Sequence, residues 1–208
     1  MNSNVFFQPF VGKDYAKGGI FGKRIMVLGE SHYCEGCLDC GFQSKHPECI
    51  ALTNGVVKDY LEKEERQDWM RTFVKFERSL VGEETDREMS RKIWDSVVFY
   101  NYLQVAMTGP RKAGTSAQYK QAANAFFDVI DENEPECIIV WGKRLWNNMP
   151  NERWQDGDDI VVDGYHAATG YYLLRNGKRV KVVAVYHPSG GYSWSYWHKV
   201  IQRLLASI

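Results

Sequence analysis

Apolar residues along the chain fall into short continuous runs and into longer segments with helical spacing. The short runs are typical of buried strands, and the residues that recur every three or four positions are typical of helices that cover a sheet. Strands are predicted over 21–28, 97–103, 137–141 and 180–186. Helices are predicted over 52–80, 86–95 and 116–131, with a helical turn up to Leu145 and a last helix after Ser193 or Ser195. Strands alternating with helices predict a three-layer α/β/α sandwich with a mostly parallel central sheet.

Shorter signals fill the second half of the chain. Residues 150–159 are polar and are predicted to form a connector, and 161–163 and 171–174 are predicted to be short strands. Asn176-Gly177 predicts a hairpin turn that leads into the strand at 180. This hairpin would add antiparallel strands to the sheet.

Composition and charge exclude some classes of protein and leave others open. The 208 residues suit one compact domain over 1–208 with a Cys-containing loop at 31–49. Lys and Arg together number 26, as do Asp and Glu, so net charge does not indicate nucleic acid, although a local basic groove would suffice. The chain has no apolar run of about 18 residues and no basic, apolar leader at its start. We therefore expect a cytoplasmic monomer without membrane contact.

Two of the predicted strands end in residues that carry chemistry. The strand at 180–186 runs into His187-Pro188-Ser189, and the first strand runs into Gly29-Glu30-Ser31-His32-Tyr33. Open α/β sheets bind ligands outside the carboxyl ends of their strands. The sequence therefore predicts a site at this edge that contains a carboxylate, imidazoles and hydroxyl groups.

Four segments in one order give a resemblance to a known family. They are Leu28–Tyr33, Val98–Leu103 with Asn101, Ile139–Gly142 with a Trp-Gly strand end, and His187–Ser189. Their order and spacing, over nearly the whole chain, resemble the uracil-DNA glycosylase superfamily. The chain departs from that family where Ser31 and His32 stand in place of the motif's Pro, and where Tyr192 follows two glycines in place of a Leu that wedges into the base stack.

The resemblance implies base-excision repair of DNA. The reaction would be hydrolysis of the N-glycosidic bond to a deaminated or damaged, uracil-type base in single- or double-stranded DNA, and it requires no cofactor. Glu30 would stabilise the positive charge that develops on the sugar, and His187 would stabilise the departing base through preorganised electrostatics. Substrate contacts would come from Ser31, His32, Tyr33, Phe42, Asn101, Ser189 and Tyr192, and phosphate contacts from Arg111 and Lys112.

Each of these residues also has a structural interpretation. Glu30 would then cap a loop, His187 would order its own loop, and Asn101 would bond to neighbouring backbone. Two other functions stay open. One is a non-catalytic member of the same fold that binds a nucleotide or nucleic acid, and the other is a metal-containing domain that acts on another small substrate.

The loop after the first strand has the spacing of a metal site. Four thiols and an imidazole fall within sixteen residues, and reduced thiols at short spacing are typical of metal ligands. A structural zinc is the first candidate and an iron–sulfur cluster the second. The alternative is a set of ordinary thiols packed beside the site. The residues are Cys34, Cys37, Cys40, His46 and Cys49.

Overall fold

A computed structural model describes residues 4–34 and 46–208. Its strands are β1 (Phe10–Val11), β2 (Ile25–Gly29), β3 (Val97–Asn101), β4 (Cys137–Trp141), β5 (Trp154–Asp156), β6 (Ile160–Val162), β7 (Tyr165–Ala167), β8 (Thr169–Leu173) and β9 (Arg179–Val185). Its helices are α1 (Leu52–Glu62), α2 (Met70–Val81), α3 (Arg87–Trp94), α4 (Ser116–Asn133), α5 (Lys143–Trp146) and α6 (Trp194–Ala206). Short 3-10 turns lie at Tyr15–Lys17, Gly19–Phe21 and Pro47–Ala51.

The central sheet has seven strands in the order β1-β3-β2-β4-β9-β8-β5. The four central strands, β3, β2, β4 and β9, are parallel to one another. The outer strands β1, β8 and β5 are antiparallel to their neighbours. The predicted α/β fold with a mostly parallel sheet is confirmed for these four strands, and β6 and β7 form a separate hairpin.

Alternate residues of the buried strands face two separate cores. Ile25, Val27 and Phe99 face the core that α1, α2, α3 and α6 cover. Met26 and Leu28 face a second core, which α4 and α5 cover. Helices therefore lie on both faces of the sheet, and this gives the three layers.

The predicted helix over 52–80 is wrong in its middle. The structure has two helices there, α1 and α2, because the chain leaves helical geometry at Lys63, which has extended backbone angles. The intervening residues 63–69 are almost all charged or polar and offer no apolar face for a core. The predicted connector over 150–159 also contains a strand, β5, which the sequence does not mark because only Trp154 of its three residues is partly buried.

Two local predictions are confirmed. Asn176-Gly177 forms the turn between β8 and β9, with Gly177 at a φ of +82° and the Asn176 side chain accepting from the Lys178 amide. Ser193, rather than Ser195, caps α6, since its side chain accepts a hydrogen bond from the Tyr196 amide. In the part of the chain that the structure describes, no helix has the length and apolarity needed to cross a membrane.

Candidate functional site

The carboxyl ends of β2 and β4 form a switch point of the sheet. The chain leaves β2 for α1 on one face of the sheet and leaves β4 for α5 on the other. Adjacent parallel strands whose connections part in this way leave a crevice in which ligands bind. Glu30 follows β2, Arg144 lies in α5 after β4, and His187 follows β9 one strand further along.

The carboxylate of Glu30 is fully engaged. Nε of Arg144 donates to both of its oxygens, at 2.7 and 2.9 Å, and Nη2 of Arg144 donates to Oε2. The hydroxyl of Tyr119, from α4, donates to Oε1. The Glu30 side chain is only 10% exposed, whereas that of Arg144 is 43% exposed. The Glu30 side chain is therefore held from two sides, and its arginine partner can reach solvent.

These contacts also change the acidity of the two partners. Burial, together with the hydrogen bond to Glu30, raises the pKa of Tyr119 to about 12, so the phenol keeps its proton and stays a donor. The hydrogen bond to Glu30 likewise raises the pKa of Arg144. Tyr119 and Arg144 therefore both remain hydrogen-bond donors over the ordinary pH range.

His187 presents one ring nitrogen as a donor. Its Nδ1 accepts the Ser189 amide at 3.2 Å and lies 2.8 Å from the Ser189 hydroxyl. Burial lowers the pKa of His187, the charge of Glu30 raises it, and the charge of Arg144 lowers it further. The imidazole is therefore neutral at pH 7 and carries its proton on Nε2. The ring lies edge-to-face with Trp141, with centroids 6.0 Å apart.

Gly142 allows the end of β4 to approach His187. Its φ is +98°, and its amide donates to the Val185 carbonyl at 2.8 Å. A Cβ at this position would lie 3.3 Å from the Cβ of His187. A residue larger than glycine at position 142, the end of the Trp-Gly strand, would therefore crowd His187.

Asn101 and His32, which were predicted to contact substrate, are buried and linked to each other in the structure. Both are buried, at 6% and 4% exposed, and the Asn101 amide nitrogen lies 3.2 Å from Nδ1 of His32. Nε2 of His32 lies 2.9 Å from the Thr53 hydroxyl, and Phe7 packs edge-to-face on the ring. Burial lowers the pKa of His32 to about 4, so the ring is neutral, accepts from Asn101 and donates to Thr53. This buried chain of hydrogen bonds joins β3 to α1.

Several other predicted residues do lie around the crevice. Tyr33, four residues after β2, is 49% exposed and forms an isolated parallel bridge with Met107. The backbone carbonyl of Arg111 accepts from Nη1 of Arg144 at 3.3 Å, so the loop that carries Arg111 and Lys112 lies against the site. Arg111 has a φ of +64°, Lys112 is exposed, and Ser31, next to Glu30, is half-buried. Ser189 is connected to the site by the contact between its hydroxyl and Nδ1 of His187.

Tyr192 does not occupy the exposed position that a base-wedging side chain needs. It is 7% exposed, its ring stacks on Trp197 at 6.0 Å, and its hydroxyl donates to the Ser79 hydroxyl at 2.7 Å. Its apolar ring belongs in the core between α2 and α6. In this structure Tyr192 anchors the loop after β9, and its predicted contact with substrate stays a prediction.

The predicted metal ligands are described only in part. Cys34, His46 and Cys49 are half-buried, and Nδ1 of His46 accepts the Glu48 amide at 3.3 Å. Within residues 4–34 and 46–208, no group of three or more His, Cys, Asp or Glu side chains is arranged to hold a metal. Cys37, Cys40 and Phe42 lie outside the described residues.

Sequence reasoning missed the two partners of Glu30. Arg144 is 114 residues away from it and Tyr119 is 89 residues away. The available signal was the position of Arg144 directly after Trp141-Gly142-Lys143, at the end of a parallel strand. A basic residue there lies at the same edge as the acid after β2.

The fold and these contacts define an α/β protein with an acid and an imidazole at the carboxyl edge of a parallel sheet. Comparison with protein-family models finds no match to the chain, and comparison with curated proteins finds none either.

Proposed function

We propose that the protein hydrolyses the N-glycosidic bond to a deaminated or damaged base in DNA. The observation that carries this proposal is the shared edge of Glu30 and His187. The two side chains follow β2 and β9, parallel strands that only β4 separates in the sheet, and the charge of Glu30 raises the pKa of His187. An anion and a neutral imidazole donor at one crevice suit a reaction that separates charge.

Each group has a defined task in this reaction. When the bond breaks, its electron pair leaves with the base, and Nε2–H of His187 is available to donate to the resulting anion. The carboxylate of Glu30 stabilises the sugar cation and orients the water that attacks it. The hydroxide of that water ends on the sugar carbon and its proton ends on the base, so the atoms and charges balance.

Arg144 has to leave Glu30 for the carboxylate to act. Its guanidinium is 43% exposed, and a phosphate of the substrate offers it another bidentate anionic partner. Arg144 would then hold the DNA backbone while Glu30 faces the sugar. Arg111 and Lys112 lie on the loop that Arg144 contacts and would add phosphate contacts.

One observation favours a second function, the binding of a nucleotide or nucleic acid without catalysis. Both oxygens of Glu30 already accept hydrogen bonds from Arg144, and Oε1 also accepts from Tyr119. A carboxylate that stays in this ion pair in the complex would position Arg144 for a phosphate and would take no part in bond cleavage.

The test is base excision on single-stranded and duplex oligonucleotides that contain uracil, xanthine or hypoxanthine. Glu30→Gln and His187→Ala are compared with Asp163→Asn, which alters an exposed acid that pairs with Lys199 and has no task in the proposed reaction. We expect excision by the wild type and by Asp163→Asn, and at least a hundredfold loss in the other two. Binding without excision of any base by the folded wild type would replace hydrolysis with the second function.

A further inference from the structure

An exposed aromatic side chain lies beside the crevice without a role in the proposed reaction. Tyr186 follows β9 directly, next to His187, and is 38% exposed. Tyr165 holds its ring edge-to-face at 6.2 Å, and Trp197 holds it at a tilt at 5.2 Å. The ring is therefore fixed from behind by two aromatic neighbours while part of it stays open to solvent.

A lysine lies over the same ring. Nζ of Lys143 is 5.1 Å from the centroid of Tyr186. Lys143 is exposed, and within residues 4–34 and 46–208 it forms no ion pair, so its charge is not neutralised by a carboxylate there. Arg144, the next residue of α5, lies over the crevice on Glu30. The partly exposed ring of Tyr186 and the cationic side chains of Lys143 and Arg144 therefore lie in a row along the edge of the site.

We infer that Tyr186 and Lys143 form a stacking platform for a base of single-stranded nucleic acid next to the crevice. Flat rings interleaved with basic side chains are the common means of binding single strands, because every base has a face that can stack and every nucleotide has a phosphate. On binding, a base would lie on Tyr186 while Lys143 moves from the ring to the adjacent phosphate. A duplex keeps its base faces inside its own stack, so the platform favours a single strand.

This inference deepens the proposed function, because it names the strand that the site receives, but it does not depend on catalysis. It therefore has to be tested with an oligonucleotide that contains no damaged base. A second ring with cations in the same protein supplies the control. Tyr171 lies 4.6 Å from the guanidinium of Arg179 and 5.7 Å from Nζ of Lys181, and Arg179 begins β9 at the end opposite His187.

The experiment is fluorescence anisotropy of one labelled, undamaged oligodeoxynucleotide, alone and as a duplex, across a series of salt concentrations. The variants are Tyr186→Ala, Tyr186→Phe, Lys143→Ala and, as the control, Tyr171→Ala. We expect tighter binding of the single strand, about tenfold weaker binding by Tyr186→Ala, and unchanged binding by Tyr186→Phe and Tyr171→Ala. Lys143→Ala should weaken binding and reduce the salt slope by roughly one phosphate contact.

The outcomes separate this inference from the proposed function. If the protein binds single strands in a way that depends on Tyr186 but excises no base, the platform is supported and only the proposed hydrolysis is rejected. Equal affinity of Tyr186→Ala and the wild type, equal loss in Tyr171→Ala, or no binding at low salt overturns the platform, whether or not bases are excised. Thermal unfolding of each variant shows that it is folded.

Discussion

Arg144 binds Glu30 across the crevice, so a positive and a negative charge lie side by side within reach of His187. Their effects on the imidazole are opposite, since the acid raises the pKa of His187 and the guanidinium lowers it. Burial is the largest influence on the pKa of His187, and the two charges of the ion pair change that pKa in opposite directions.

The pKa of His187 should move in opposite directions when the two partners are neutralised one at a time. Glu30→Gln removes the negative charge and should lower the pKa of His187, and Arg144→Gln removes the positive charge and should raise it. The measurement is an NMR titration of the His187 ring protons in both variants. Shifts of the same sign would contradict the arrangement described here.

Gly142→Ala should lower the free energy of unfolding by more than the strain of its positive φ alone accounts for. A side chain at a φ of +98° is strained, and the new Cβ would press on the Cβ of His187 at 3.3 Å. Gly164→Ala is the control, because its φ is +78° and no atom lies within 4 Å of a Cβ there. Urea unfolding should show a loss of about 2 kcal/mol for the control and more for Gly142→Ala, together with a displaced His187 resonance. Equal losses would mean that the contact with His187 is not tight.

The sequence predicted the strand ends better than the contacts between them. Glu30 and His187 were found because each directly follows a continuous apolar run, and parallel strands bring such positions to one edge. Arg144 was missed because nothing local to a four-residue helix tells which acid, over a hundred residues away, it meets. The sequence also did not show that His32 and Asn101 lie buried against each other, because residue type does not distinguish a polar group bonded inside the protein from one that faces a ligand.

His32 should make the protein less stable as the pH falls. Its pKa drops from an ordinary 6.5 to about 4 on folding, so its contribution is fully present above pH 6.5 and is lost as the pH falls towards 4. The lowered pKa of His32, about 2.5 below its ordinary value, contributes on the order of 3 kcal/mol to the free energy of unfolding. His32→Gln should flatten this dependence in urea titrations between pH 7 and pH 4. His166→Gln, which alters a histidine whose side chain is 63% exposed, should leave it unchanged.

Glu77 should make the protein less stable as the pH rises, which is the opposite of the effect of His32. It is fully buried in α2, where its carboxylate accepts from Thr85 at 2.9 Å, Ser90 at 2.8 Å and Trp94 at 2.7 Å. Burial raises its pKa, so its protonation stabilises the fold below about pH 4.5, and this stabilisation is lost as the pH rises through the folded-state pKa.

Glu77→Gln and Glu77→Ala test this group. Glu77→Ala leaves three donors without an acceptor and should cost about 3 kcal/mol at neutral pH, measured by urea unfolding. The stability gap between the wild type and Glu77→Gln should narrow as the pH rises from 4.5. A gap that widens instead would mean that the donors outweigh burial and keep the acid ionised.

The two outermost strands of the sheet have a consequence for behaviour at high concentration. β1 has two residues and β5 has three, whereas β9, in the interior, has seven. An extended segment of another molecule that lies along either border can form only a few main-chain hydrogen bonds before the border ends. Such short edge strands discourage the addition of strands from other molecules, which is the route to aggregation. The parallel strands that carry the site are thereby shielded from recruitment into fibrous assemblies.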